Sequence, residues 1–146
     1  MRLSTKGRYG VRLMLDLASH CEGAPVFLKD IAERQEISEK YLWHLIAPLK
    51  AAGLVKSIRG AHGGYLLAKP PEEVTLREIV DVLEGSLSLV ECVKTPSVCK
   101  RVQFCVTRDV WEEITESITH ILEAISLKDM VDRQRNKKGT AIIYNI

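Results

Sequence analysis

No stretch of the 146 residues approaches the roughly 18–20 consecutive apolar residues that a bilayer span requires. The opening MRLSTKGRYG has no apolar run and no small-residue cleavage site, so a secretory signal is not expected. Internal repeats and low-complexity segments are also missing. There is no nucleotide-binding glycine pattern and no plausible nucleophile–base pair, and GAHGG lacks the strand-to-helix setting of a phosphate loop. These absences lead to the expectation of a cytoplasmic protein that is not an enzyme, with no membrane partner and no small-molecule substrate. Cysteine is scarce, at four residues, and none is paired as C-x-x-C, the usual spacing of structural zinc sites.

Net charge is also nearly absent, at +2, but its distribution is uneven. Residues 1–70 hold eleven Lys and Arg against six Asp and Glu, a net of +5; the remainder holds ten against thirteen, a net of −3. A basic first half and an acidic second half suit a nucleic-acid-reading module followed by an interaction module. Apolar content of 46% is ordinary, so a core is available.

Phe27 to Ala68 organises the chain. Ile31 and Ala32 mark the inward face of one short helix, and Leu42, Leu45, Ile46 and Leu49 that of a second. Ser38, after a short polar turn, is a good N-cap because its hydroxyl can accept from an unpaired amide. Gly53 suits the left-handed position that ends the second helix. Leu54–Arg59 and Tyr65–Ala68 read as strands closed by Gly60–Gly64. The expected fold is therefore mainly α: a winged helix-turn-helix with a small β-hairpin wing, plus a long C-terminal dimerisation helix. A helix fits the major groove, and a glycine-rich tip lets backbone approach phosphates. Candidate DNA-binding residues are Ser38, Lys40, Tyr41, Trp43 and His44 on the second helix, and Arg59, Gly60, His62 and Gly63 at the wing. Trp43 is alternatively packed on the first helix. Pro48 is expected to bend or loosen the second helix.

Upstream, Arg8–Ala18 reads as a mostly buried helix capped by Ser4 or Thr5, with Cys21 near its end as a small buried hydrophobe. Arg2, Thr5 and Lys6 are candidate phosphate contacts. Downstream, Thr75-x-x-Glu78 is a capping box opening a helix that Gly85 stops. Cys92, Cys99 and Cys105 then fall within 14 residues. Pro96 argues against a regular helix there, so the three thiols lie on a loop and can converge. Thiolates are soft donors, which favour an iron–sulfur cluster, zinc or cuprous ion. Lys94, Lys100 and Arg101 would help keep them ionised.

Val106–Ile125 follows as a long amphipathic helix. Its apolar stripe, including Trp111, Ile114, Ile118, Ile121, Leu122 and Ile125, exceeds what a small winged domain needs to cover. A homodimer about a two-fold axis would use the surplus, and would match a pseudo-palindromic duplex operator. SLKDMV then starts a short helix, and Arg133, Arg135, Lys137 and Lys138 read as a solvated tail. The expected organisation is a DNA-binding domain over 1–85, a cysteine loop over 86–105, a dimerisation helix over 106–130 and a tail over 131–146.

The opening MRLSTKGRYGVRLMLDLA, the helices around ISEKYLWHLIAPLKAAGLV, the wing SIRGAHGGYLLAKP and the three-cysteine loop together resemble the iron–sulfur cluster regulator (IscR-type) branch of the Rrf-two family of bacterial transcription regulators. The resemblance covers roughly residues 1 to 130. It implies a homodimeric winged-helix repressor or activator acting on iron–sulfur cluster biogenesis genes, with a two-iron two-sulfur cluster on Cys92, Cys99 and Cys105. The family's fourth ligand is a histidine three residues after the last cysteine; that position is Arg108 here, which cannot bind a metal. Asp109, Glu91, a residue of the other subunit, a water or a small thiol are the alternatives. A glutamate common in the recognition helix is Trp43 here. Related nitric-oxide sensors carry a four-iron cluster on a similar loop, and a cluster-free regulator acting through thiol oxidation or a partner protein is a further reading.

Overall fold

The computed structural model describes residues 2–20 and 22–144; Cys21 lies outside them. Helix α1 (Thr5–His20) starts where the Ser4 hydroxyl accepts from the Gly7 amide at 3.1 Å. Its buried residues, Gly7, Gly10, Leu13, Met14, Asp16 and Leu17, recur at three and four, as one helix face must. The two glycines are there for space. A Cβ on Gly10 would lie 1.9 Å from Leu83 Cδ1, and one on Gly7 2.0 Å from Glu84 Oε1. Both contacts are with helix α4 (Leu76–Glu84).

Helices α2 (Leu28–Gln35) and α3 (Glu39–Ala51) form the helix-turn-helix. Ser38 caps α3 as expected, accepting from the Tyr41 amide at 3.1 Å. The C-terminus closes with the two bonds of a Schellman motif: Leu54 N–H donates to Leu49 O and Gly53 N–H to Lys50 O, both at 3.0 Å, with Gly53 at φ +75°. The loosening expected at Pro48 does not interrupt the helix. Only one amide is missing, and Ala52 N–H donates to Pro48 O at 3.0 Å, which resumes the ladder.

Strands β1 (Val55–Ile58) and β2 (Gly64–Leu67) pair antiparallel, Val55 opposite Leu67 and Ile58 opposite Gly64. Val26 pairs with the free edge of β2: Val26 N–H donates to Tyr65 O at 2.9 Å and Tyr65 N–H to Val26 O at 2.8 Å. Both halves of the capping box that opens α4 are made. Lys69 Nζ adds an ion pair to Glu78 Oε1 at 2.6 Å.

A buried carboxylate joins the first two helices. Asp16 is 2% exposed, and Arg34 donates to it through Nε (3.1 Å) and Nη2 (2.7 Å), Gln35 through Nε2 (2.9 Å). The hydrogen bond to Asp16 raises the Arg34 guanidinium above its ordinary value. A paired, hydrogen-bonded charge can be buried where a lone one could not.

Helix α5 (Glu91–Lys94) and a 3-10 turn (Pro96–Val98) interrupt the segment expected to be a plain loop, and Cys92 lies inside α5. Helix α6 (Val106–Ala124) has no buried residue. The chain then returns. Leu76 N–H donates to Ile125 O and Leu127 N–H to Val74 O, both at 2.8 Å. Helix α7 (Leu127–Tyr144) buries Leu127 and Val131 in the core and meets α1, where Ser19 Oγ and Gln134 Oε1 are 3.0 Å apart.

This return corrects the expected end of the chain. Residues 131–144 are a continuation of α7 rather than a tail. Arg133, Arg135, Lys137 and Lys138 are solvated as expected, but straight-chain cations are good helix formers and extend the helix begun by the core residues.

Candidate nucleic-acid interface and thiol loop

Four inward residues of α3, Leu42, Leu45, Ile46 and Leu49, are at most 2% exposed. The opposite face is therefore turned outward, and it carries Lys40, Trp43, His44, Ala47 and Lys50. Trp43 is not packed on α2. It is 56% exposed and stands edge-on to Tyr65 of β2, with ring centroids 6.2 Å apart and planes at 87°. Tyr41 departs from its expected place in the groove-facing half. Its ring meets Tyr9 of α1 at 5.9 Å and 89°, so α1–α3 packing uses that ring. Ala47 was not singled out from the sequence, although its place four residues after Trp43 and opposite the leucine stripe was a sufficient signal.

At the wing, Arg59, Gly60 and His62 are exposed. Gly63 is buried; a Cβ there would lie 2.3 Å from Ile58 O, and its amide donates to Gly60 O at 3.0 Å. The backbone of the turn itself claims Gly63, and this removes it from the expected set of DNA contacts. At the start of α1, Arg2, Thr5 and Lys6 are exposed. Arg8 and Arg12 lie 5.7 and 5.2 Å from the Tyr9 ring centre, and Arg12 Nε also donates to Gln35 Oε1 at 3.1 Å. Arg12 is thus committed to holding α1 against α2.

Cys92, Cys99 and Cys105 are free thiols of intermediate exposure. They stand on three successive pieces: α5, the residue after the 3-10 turn, and the residue before α6. The described residues contain no group of three or more His, Cys, Asp or Glu gathered to hold a metal ion. The convergence expected of the three thiols is therefore not present, because α5 and the turn hold them on separate short elements. The Cys105 thiol is held below its ordinary value by the Thr107 hydroxyl, 3.2 Å away, by the Arg108 amide and by the charge of Arg101.

Arg108 occupies the place expected for a histidine ligand, and its side chain is 11% exposed. It donates through Nε to Cys92 O at 3.2 Å, and through Nη1 and Nη2 to Glu112 at 3.0 and 3.4 Å. The guanidinium so ties α5 to the first turns of α6. At the other end of α6, Arg77 bridges Asp81 on α4 (2.6 Å) and Glu123 on α6 (2.9 Å). One helix is thus fastened to the thiol segment at its start and to the head at its end. Of the other candidate ligands, Asp109 is 70% exposed and Glu91 accepts from Thr95 Oγ1 at 3.3 Å.

The α6 stripe divides in two. Ile118 and Leu122 face the chain's own body, lining an apolar groove of ≈ 540 Å³ with Leu3, Tyr9, Val11 and Leu76 among others. Trp111, Ile114 and Ile121 remain 38%, 38% and 61% exposed. Ile125 ends the helix, and its carbonyl is used by Leu76.

Among the described residues no helix is long and apolar enough to cross a membrane. The model of the Rrf2 family, described as an iron-dependent transcriptional regulator, matches residues 3–133. The HTH-type transcriptional regulator IscR of Photorhabdus laumondii is 41% identical over 134 residues, covering 92% of this chain and 81% of that protein. A solved structure of T. potens IscR superposes with a TM-score of 0.75 at 48% identity, over 92% of this chain and 88% of the other. CymR, described as the global cysteine regulator of B. subtilis, superposes with a TM-score of 0.77 at 39% identity, over 91% of this chain and 98% of the other.

Proposed function

The chain belongs to the Rrf2 family of DNA-binding transcriptional regulators, which are not enzymes, and from that membership we propose that its operator binding is controlled by an iron–sulfur cluster held on Cys92, Cys99 and Cys105. The regulator acts as a homodimer on a pseudo-palindromic duplex. Lys40, Trp43 and His44 of α3 enter the major groove. Ser38, Arg59, Gly60 and His62, with Arg2, Thr5 and Lys6, meet the flanking backbone. The exposed Trp111, Ile114 and Ile121 form the contact between subunits. Iron–sulfur biogenesis genes are the proposed targets.

The donor set fits the cofactor in type: the three thiols would supply three of the roughly four ligands that such a cluster takes, and Arg108 leaves the fourth to another group. Three thiols are reachable from solvent, and the charge and hydrogen bonds around Cys105 favour its thiolate. A two-iron two-sulfur cluster, when bound, would supply a redox-sensitive cross-link among the three thiolates. The protein's own residues carry the rest. Gathering the thiols requires α5 and its following turn to draw toward the start of α6. Arg108 transmits that movement, because it holds the Cys92 carbonyl and Glu112 together. The Arg77–Glu123 pair and the Leu76–Ile125 hydrogen bond pass the tilt of α6 to α4, which packs on α1 of the head. Two sites coupled through one element that can take two positions is the physical content of allosteric control.

The observation that carries this reading is the double fastening of α6, to the thiol segment at one end and to the DNA-reading head at the other. Purification without oxygen tests the cofactor. Iron, acid-labile sulfide and visible absorbance are expected in the wild type and not after Cys92, Cys99 and Cys105 are all changed to Ala. Colourless wild-type protein without iron would overturn it.

A second reading is supported by the ungathered thiols, by Arg108 in the ligand position and by the likeness to a cysteine regulator. On it, the same segment responds through thiol chemistry or a partner protein with no cluster. Free thiols and no metal after anaerobic purification, with DNA binding that changes on mild oxidation, would support that reading.

A further inference from the structure

We infer that Trp43, held upright by Tyr65, determines operator specificity by packing against thymine methyl groups in the major groove. This rests on the reading of α3 as the helix that enters that groove.

Trp43 is the largest side chain on the outward face of α3 and is 56% exposed. One turn on, Ala47 presents a methyl on the same stripe. Lys40 and Lys50 flank this apolar centre, so the face reads cation, ring, methyl, cation along its length. An indole has a single donor and no acceptor. It cannot make the paired hydrogen bonds by which Asn or Gln reads adenine and Arg reads guanine. What distinguishes one base pair from another for an apolar surface is the C5 methyl of thymine, the one apolar group that the unmodified major groove displays.

The ring is also positioned in advance. Tyr65 meets it edge-on at 6.2 Å, and Tyr65 is fixed by two backbone hydrogen bonds to Val26 and by pairing with Ser57. Burial pushes the Tyr65 phenol above its ordinary value, as befits a ring packed between wing and helix. A surface tryptophan without such a neighbour would lose rotamer freedom on binding; here much of that ordering is already done.

The test uses the full chain and a duplex selected by it from a random-sequence library. Each thymine of the selected site is replaced singly by uracil, which removes only the methyl, and affinity is measured at fixed salt. At one or two positions under α3 the substitution is expected to weaken binding roughly three- to five-fold, the effect of one methyl withdrawn from apolar contact. In Trp43→Ala, thymine and uracil duplexes should bind alike at those positions. In Lys50→Ala, binding should weaken for both while their ratio persists. If no thymine-to-uracil change alters wild-type affinity, or if the loss survives in Trp43→Ala, the inference is overturned. If the protein selects no duplex at all, the reading of α3 fails first and takes the inference with it.

Discussion

The head and the neck of this chain are built to different standards of completeness. In the head, α1, α3 and α4 enclose Leu13, Met14, Leu17, Leu42, Leu49 and Ile79 at 0% exposure, and Asp16, the one buried charge among the described residues, has its partners. In the neck, α6 runs for 19 residues without burying one of them. Phe104, Val106 and Ile121 are 84%, 73% and 61% exposed. Burying apolar surface is worth roughly 25 cal/mol per Å², so a single chain forgoes at the neck what it has already gained in the head. The head closes its own core, whereas the neck keeps a broad apolar surface in water. Control is better placed where structure is least finished, because a small change there moves more.

The largest expected effect lies at the neck. Ile114→Glu with Ile121→Glu should leave the head folded but yield monomers in sedimentation. Operator affinity should fall on the order of a thousand-fold as two linked half-site contacts become one. Dimers that persist at micromolar concentration would show that the exposed stripe is not the subunit contact. In the head, Asp16→Ala should lower unfolding free energy by about 3 kcal/mol in urea titrations, since Arg34 and Gln35 lose a buried partner. A change below 1 kcal/mol would remove Asp16 from the account of how α2 is held.

A smaller effect concerns pH. Burial pushes the Glu78 carboxyl up, but hydrogen bonds from Lys69 and Thr75 outweigh it and hold the group below its ordinary value of 4.5. A carboxylate whose folded value is depressed stabilises the fold above the unfolded value, and that contribution is lost as pH falls through the folded one. Melting temperature should therefore drop more between about pH 6 and about pH 3 in the wild type than in Glu78→Gln. Parallel curves would contradict the contribution of the Glu78 charge.

Much of the head was legible because short-range rules govern it. The leucine spacing of α3, the Ser38 cap, the glycine that ends the helix and the Thr75–Glu78 box each depend on residues a few places apart. The wing followed from its glycines. What was missed depends on distant partners. Asp16 sits on an apolar helix face, and its partners Arg34 and Gln35 lie 18 and 19 residues away. Tyr41 and Trp43 are nearly adjacent in sequence, and only the positions of Tyr9 and Tyr65 separate a packing ring from an exposed one. Gly63 read as one of several wing glycines, yet the carbonyl of Ile58 confines it. Arg108 was visible as a departure from a ligand pattern, but not as the group that fastens Cys92 to α6. The continuation of α7 was hidden because Leu127 and Val131 meet a core assembled from residues 13–83.

If the state of the thiol segment sets the affinity of the head for DNA, two states of that segment must bind one duplex differently. This is tested most directly by measuring, at one salt concentration and without oxygen, the affinity for a selected duplex of cluster-reconstituted protein and of the protein with Ala at positions 92, 99 and 105. A difference of about 5- to 150-fold is expected, the usual range of such couplings. Equal affinities from two folded, dimeric samples would contradict it.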